Sequence, residues 1–435
     1  MAFASLFLLI VFLSFFTPIS PTLNSTAQSA SNKILKFPVY HIGKFLNDSK
    51  SLYLARIQQT NDWMPEPIQA NLPLLVAFPT GEYIVELIVG SQIVHLLLDT
   101  GSPLVWWQCS PCQNCFEQKY NPLYNISLSK TYKPVICPSN QCAKNIQYYF
   151  TNECTMNRCQ YTANYGDGSY SSGVLANETV SDEDGVLYKS IIFGCGSSNI
   201  GLFDGFYAGI LGFQHDEFSF PNQINADIFS FCFVAAQSKF DRKIQRRPDN
   251  APLYLYEFPD LNEDTTFVVD LTHLVHHYVA FKGVKIEGEM VPVNDKYWNR
   301  DTEGKYGVRV DSGTRLTSFP SDVYNDIRNS FLKSVKGMTA FASHNYDTCF
   351  YSPLSTPVDY IPKVSLCFRS GMGVEELRLA PEHIMISIGR NVYCFAFTYA
   401  DASVDVTIIG THQLQNTRLS FDMLEESVRF TPDDC

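Results

Sequence analysis

The chain of 435 residues carries 32 Lys and Arg against 44 Asp and Glu, a formal net charge of −12, and is 45% hydrophobic and 17% charged. That apolar fraction excludes a disordered chain, and the acidic balance excludes a nucleic-acid binder, which needs cations to neutralise phosphates. The length exceeds what one core usually accommodates, so two lobes are expected; 32 Phe, 24 Tyr and few long helical periodicities predict mostly β structure.

Leu6 to Phe16 is apolar apart from Ser14, and no charged side chain precedes Lys33. Eleven apolar residues are too short for a bilayer span, so residues 1–24 read as a secretory signal peptide. Residues 25–78 hold the one stretch with a slight basic excess and read as a propeptide, with an ordinary flexible leader as the alternative. The C-terminal FTPDDC offers no hydrophobic tail, so no membrane anchor is expected. The 13 cysteines suit an oxidising compartment. The expected location is outside the cell, with the vacuole as the other destination. Asn-X-Ser/Thr triplets stand at Asn24, Asn47, Asn125 and Asn177; Asn125 and Asn177 are the glycosylation candidates beyond the leader.

Ordered structure is expected from residue 79, as an N-terminal lobe over 79–265 and a C-terminal lobe over 266–435. GEYIVELIV (81–89) and QIVHLLLD (92–99) flank Gly90-Ser91, a pair suited to a tight hairpin turn. The second strand ends on Asp99, followed by Thr100-Gly101-Ser102. Val308-Arg309-Val310 is apolar-rich and runs likewise into Asp311-Ser312-Gly313-Thr314. Two aliphatics and a glycine follow each Asp: Ile210-Leu211-Gly212 after Asp99, and Ile408-Ile409-Gly410 after Asp311. Motifs recurring in one order at similar offsets indicate an internal duplication.

The residue types point to one chemistry. Hydrolysing a peptide needs a base to activate water and an acid to protonate the carbonyl oxygen and the leaving nitrogen. Two carboxyl groups sharing one proton supply both roles, because like charges in contact do not both ionise; the dyad is a standard worked case of this rule. Glycine after each Asp-Thr/Ser lets the partner loop approach, and the hydroxyls of Ser102 and Thr314 are placed to donate to the carboxylates. The alternative is a pair of unrelated turns capping strand ends.

Asp99-Thr100-Gly101-Ser102 and Asp311-Ser312-Gly313-Thr314 resemble the two active-site loops of pepsin-like aspartic proteases. NYGDGSYSSGVLANETV (164–180) resembles the flap of that family, with Tyr165 at the flap-tyrosine position. WWQCSPCQNC (106–115), IIFGCGSSNIGLF (191–203), FSFCF (229–233) and IIGTHQLQNTRLSFD (408–422) are similar to landmarks of its plant nepenthesin-like, apoplastic (CDR-type) subgroup. The resemblance implies an all-β, bilobed architecture with a deep cleft for an extended polypeptide substrate, one Asp from each lobe, and Thr100 and Ser312 cross-bonded beneath the pair. It implies water attack without a covalent intermediate, no cofactor, and a monomer. It also implies the disulfides Cys109–Cys112, Cys115–Cys195, Cys137–Cys159, Cys142–Cys154, Cys232–Cys435 and Cys349–Cys394, with Cys367 left as a buried thiol.

Two departures stand out: Gly90-Ser91-Gln92 replaces the usual Gly-Thr-Pro, and Pro103 follows Ser102 where an acidic or small residue is common. Other readings remain for parts of the chain. Cys109, Cys112 and Cys115 have a spacing that also suits zinc, although disulfides fit a secreted chain better. His273, His276 and His277 read as ordinary strand histidines. A catalytically silent relative that inhibits cell-wall-degrading glycoside hydrolases is the competing function, and it predicts an incomplete Asp pair or a missing flap tyrosine. A structural cell-wall glycoprotein predicts Pro/Ser-rich tracts, which are absent from the sequence.

Overall fold

The computed structural model describes residues 35–41, 82–143, 150–182, 187–234, 250–259, 261–263, 265–272, 275–352, 360–371, 373–389, 391–400 and 404–435. The expected signal peptide, most of the expected leader, Asn24, Asn47 and His273 lie outside them.

The fold is all-β and bilobed. The hairpin anticipated around Gly90-Ser91 forms from strands Tyr83–Val89 and Gln92–Asp99. Their alternating aliphatics are buried, and Gly90 takes the positive φ (64°) that such a turn requires.

These strands belong to a 16-stranded sheet that joins the two halves of the chain. At the junction, strand Ile228–Cys232 pairs antiparallel with Thr417–Asp422, aligning Phe229 with Phe421 and Cys232 with Arg418. The disulfide Cys232–Cys435, across 203 residues, ties the C-terminus to that junction. Closing so long a loop stabilises by about 5 kcal/mol in the chain-entropy account. One continuous cluster of buried apolar side chains runs from Tyr83 and Leu98 to Phe421 and Phe430, so the two halves share a core.

The expected leader contributes to the same sheet. Leu35–His41 pairs with Asn250–Leu255 on one side and with Tyr83–Val89 on the other. The register sets Pro38 opposite Pro252, aligning two residues that have no N–H to offer a ladder.

The internal duplication is visible as topology. In the N-terminal half, Gly209–Gly212 runs parallel to the strand that delivers Asp99 and antiparallel to Trp106–Ser110, which leads away from the Asp99 loop. In the C-terminal half, Thr407–Ile409 runs parallel to Val308–Val310 and antiparallel to Thr317–Phe319. Each two-aliphatics-and-glycine motif is thus a wedge between the strands entering and leaving an Asp loop. The wedges hold the loops: Phe213 N–H donates to Asp99 O (2.8 Å), and Asp311 N–H donates to Ile409 O (3.1 Å). Gly212 and Gly410 are needed because the outgoing chain passes over them. A Cβ on Gly212 would lie 2.8 Å from Leu104 O, and one on Gly410 would lie 2.6 Å from Arg315 O.

The cysteines depart from expectation in four of six pairs. The structure joins Cys109–Cys195, Cys112–Cys115, Cys137–Cys154 and Cys142–Cys159, and keeps the expected Cys232–Cys435 and Cys349–Cys394. The corrections follow from strand neighbours. Trp106–Ser110 lies parallel to Tyr188–Ile200 and carries Cys109 inward to within 5.4 Å (Cα–Cα) of Cys195. Cys112 is beyond the strand end and closes a short loop with Cys115 instead. Cys154 and Cys159 face each other across a hairpin, so each is within reach of the other's partner. Residues 135–137 run along Arg158–Asn164 towards the hairpin turn, bringing Cys137 to Cys154, while helix Asn140–Ala143 sets Cys142 on Cys159. With Cys109, Cys112 and Cys115 all in disulfides, the zinc reading has no free thiolates. Cys367 is a free, fully buried thiol in strand Val364–Ser370, and burial pushes its pKa up to about 11.

Non-reducing peptide mapping checks this pairing. It should recover Cys109 linked to Cys195 and Cys142 linked to Cys159, whereas a Cys115–Cys195 peptide would contradict it.

Candidate active site

Asp99 and Asp311 stand at the ends of two parallel-paired strands, one in each half, and their loops meet face to face. The loops are bonded to each other before they are bonded to anything else. Thr100 N–H donates to Ser312 Oγ (2.9 Å), and Ser312 N–H donates to Thr100 Oγ1 (2.9 Å). Each hydroxyl then donates across to the opposite strand, Ser312 Oγ to Leu98 O (2.7 Å) and Thr100 Oγ1 to Val310 O (3.4 Å). Thr100 and Ser312 are fully buried or nearly so, so these bonds satisfy groups that water cannot reach.

Above this lattice each carboxylate is turned by its own loop. Gly101 N–H donates to Asp99 Oδ1 (2.7 Å), and Gly313 N–H donates to Asp311 Oδ1 (2.9 Å). The glycines explain how the carboxylates come together. A Cβ on Gly101 would lie 2.4 Å from Asp311 Oδ2, and one on Gly313 would lie 2.4 Å from Asp99 Oδ1. Each carboxylate therefore fills the space where the opposite loop has no side chain.

Asp99 and Asp311 are buried, which makes the electrostatics severe. Burial first, and then the negative charge of Asp311, raise the Asp99 pKa well above the ordinary carboxylate range. Ser102 and the Gly101 N–H pull the other way without cancelling the rise. The Ser102 hydroxyl is buried beside Asp99, though it makes no hydrogen bond of standard geometry. Thr314 closes its loop through the backbone: its N–H donates to Asp311 O (3.3 Å) and its carbonyl accepts from Thr411 N–H (2.9 Å).

Tyr165 follows strand Arg158–Asn164 at the start of a tight turn through Gly166-Asp167-Gly168. Tyr165 N–H donates to Ser169 O (2.9 Å), and Asp167 accepts from both the N–H and the Oγ of Ser169 (2.8 Å each). Trp106 Nε1 donates to the Tyr165 hydroxyl (2.5 Å), and Phe203 packs against both rings. Burial, together with the charge of Asp99, raises the Tyr165 pKa well above its ordinary value, so the hydroxyl keeps its proton. The hairpin tip is thereby tied to a buried tryptophan, with the Tyr165 hydroxyl within electrostatic reach of Asp99.

Two residues near the pair, Gln214 and Arg309, were not singled out in the sequence. Gln214 Nε2 donates to Gly101 O and lies 2.6 Å from His276 Nδ1. Arg309, within the apolar-looking Val308–Val310 run, has Nη2 3.9 Å from Asp311 Oδ2 and Nη1 3.3 Å from His276 Nε2. His277 is buried, with Nε2 2.7 Å from Phe213 O. His276 and His277 lie outside the strands, His276 against Gln214 and Arg309 and His277 within electrostatic reach of Asp311. The glycosylation candidates lie elsewhere. Asn125 caps a short 3-10 helix, accepting from Ser127 N–H (3.0 Å), and Asn177 lies half-buried within strand Tyr170–Ser181.

The raised Asp99 pKa has a signed consequence for stability. The folded state keeps a proton that the unfolded chain releases, so the contribution is full below the unfolded carboxyl value of about 4 and is lost as pH rises through the raised value. Asp99→Asn removes this titration. Its stability relative to the parent should increase from about pH 4 towards neutrality, as read by urea unfolding at a series of pH values. Parallel pH–stability curves for the two proteins would contradict the burial of an ionisable Asp99.

Residues 83–242 match the family model described as Xylanase inhibitor N-terminal, and residues 276–432 match the one described as Xylanase inhibitor C-terminal. Among curated proteins, aspartic proteinase nepenthesin-2 of Nepenthes gracilis is 29% identical over 358 residues, covering 82% of this chain and 78% of that one. Aspartyl protease family protein 2 of Arabidopsis thaliana is 31% identical over 366 residues, covering 82% and 71%. Among solved structures, edgp superposes with a TM-score of 0.64 at 18% identity over 92% of this chain and 94% of that one. Basic 7S globulin from soybean superposes with a TM-score of 0.63 at 16% identity over 92% and 96%. At those identities the solved structures establish the fold. The closer sequence relatives carry the family, and the chain belongs to the plant pepsin-like aspartic proteases.

Proposed function

We propose that the protein is a secreted, acid-active aspartic endopeptidase that hydrolyses extended polypeptides with Asp99 and Asp311. The observation that carries this reading is the reciprocal fit of the two carboxylates, each in the space left by the opposite glycine. At that separation the pair holds one proton between them across the acid range. The ionised carboxyl takes a proton from water as it attacks the peptide carbon, while the protonated one donates to the carbonyl oxygen. The proton gained from water then passes to the leaving nitrogen as the carbon–nitrogen bond breaks, while a hydroxyl proton of the tetrahedral intermediate returns to the carboxylate that had donated, leaving a carboxylic acid product and restoring the shared proton. No covalent intermediate or cofactor enters.

In this reading Tyr165 and its hairpin close over the substrate and exclude water from the reaction. Gly101 and Gly313 give the pair its contact, and Thr100 and Ser312 fix its geometry. Six disulfides and the apolar segment at 6–16 support export to the apoplast, and residues 25–78 would be a propeptide whose strand Leu35–His41 leaves the sheet when it is removed on activation. Among the described residues no helix is long and apolar enough to cross a membrane.

A second reading is a catalytically silent protein that binds a glycoside hydrolase. The descriptions of the two matching family models favour it. Against it stand a complete Asp pair and a tyrosine at the hairpin tip, neither of which a silent binder needs.

Cleavage of an unfolded protein across pH separates the readings. The processed parent should cleave in acid and lose activity as rising pH removes the proton from the pair. Asp99→Asn and Asp311→Asn should each lower the rate by about 10²–10⁴-fold or more, non-additively, because one carboxyl cannot fill both roles. No cleavage by the parent at any pH, with binding to a xylanase, would replace the first reading by the second.

A further inference from the structure

The Asp pair is nearly symmetric in its hydrogen bonds and markedly asymmetric in its surroundings. Each carboxylate accepts from the glycine two residues on, and each loop is cross-bonded to the other. What differs is one cation. The Arg309 guanidinium lies 3.9 Å from Asp311 Oδ2, with side chains 19% and 9% exposed, so solvent screens the contact only weakly. Among the described residues no arginine or lysine stands in an ion pair with Asp99, whose charged neighbour is Asp311.

Arg309 is held where it is. Its backbone bridges to Tyr278, and its Nη1 lies against the His276 ring, 3.4 Å from Nδ1 and 3.3 Å from Nε2. His276 is fixed in turn by Gln214, whose amide also reaches Gly101 O on the opposite loop. A chain of contacts therefore links the cation beside Asp311 to the loop of Asp99.

We infer that Arg309 is a positioning residue that keeps the negative charge of the pair on Asp311 and so assigns the resting proton to Asp99. The inference rests on the reading of Asp99 and Asp311 as a proton-sharing pair. Arginine stays protonated at every pH of interest, so its preference for an ionised neighbour does not switch off. The other groups facing the pair do not undo this asymmetry. His276 has its pKa pushed down to about 3 by burial and by Arg309, His277 and Arg300, so it is neutral over most of the acid range. Burial lowers His277 to about 4, with His215 acting in the same direction and Asp311 opposing. Tyr165 keeps its proton beside Asp99. Arg309 is the one permanent cation in contact with either carboxylate among the described residues.

The mechanistic consequence is an assignment of roles. Asp311 would accept the proton of the attacking water and Asp99 would donate to the carbonyl oxygen. The proton moves from water to Asp311 while the Asp99 proton moves to the substrate, so the pair still holds one proton after attack.

The test removes the charge. Arg309→Leu and Arg309→Gln, the second preserving polarity should the first fail to fold, should raise the first ionisation of the pair by about one pH unit. The shift is read in two ways. The acid limb of kcat/KM should move up, and so should the titration of carbon-13-labelled Asp carboxyls in the free protein, with Asp311→Asn identifying the signal. Arg309→Lys should restore most of the parent profile. The carbon-13 titration needs no turnover, so an inactive parent that still shows the Arg309-dependent shift would sink the endopeptidase reading and leave this one standing. A first ionisation unchanged between parent and both neutral variants would overturn the inference. So would an activity loss that is uniform across pH, or a Lys variant that shifts as far as the Leu variant.

Discussion

The structure depends on a reciprocal exchange of hydrogen bonds between Thr100 and Ser312. Two loops from opposite halves meet at buried positions, and each leaves a backbone N–H and a hydroxyl that need partners. Every one of those groups is satisfied by the other half. A buried polar group left unpaired costs about 1–3 kcal/mol, so separating the halves at this point would expose several such costs together. The position of the Asp pair and the docking of the halves are therefore one structural fact. Glycine completes it, because only loops without Cβ atoms at Gly101 and Gly313 let carboxylates come together above the cross-bond.

Much of the remaining architecture keeps these loops in register. The wedge strands Gly209–Gly212 and Thr407–Ile409 hold apart the chains entering and leaving each loop. The sheet junction at Ile228–Cys232 and Thr417–Asp422, with its disulfide and shared aromatic core, carries the rigidity from one half to the other. Leu35–His41 is an inner strand of the same sheet, so the segment read as a leader is also part of the scaffold.

Legibility in the sequence followed the range of the interactions. The hairpin at Gly90-Ser91, the two Asp loops and the repeated aliphatic-glycine motifs are local patterns, and the structure reproduces them as strands, turns and wedges. The cross-bond of Thr100 and Ser312 was implied by resemblance and is present. The disulfides depend on which strands become neighbours, and alternating cysteines such as Cys154 and Cys159 are nearly interchangeable until a hairpin sets them face to face. Arg309 was hidden because one cation in an apolar run reads as a strand's outward face. Its significance arises from His276 and Asp311, which the fold brings to it. Gln214, just beyond the Ile210-Leu211-Gly212 motif, was overlooked for the same reason. Leu35–His41 was read only as part of a leader, because its charge balance says nothing of strand pairing; it forms an inner strand in which Pro38 aligns with Pro252.

The most direct test of the account is neutron diffraction from the deuterium-exchanged protein at mildly acid pH, with the state of the two carboxyls read from nuclear density. The account predicts one deuteron for the pair, with Asp99 and Asp311 in contact across the glycines. Two bare carboxylates, or two fully protonated ones, would contradict it.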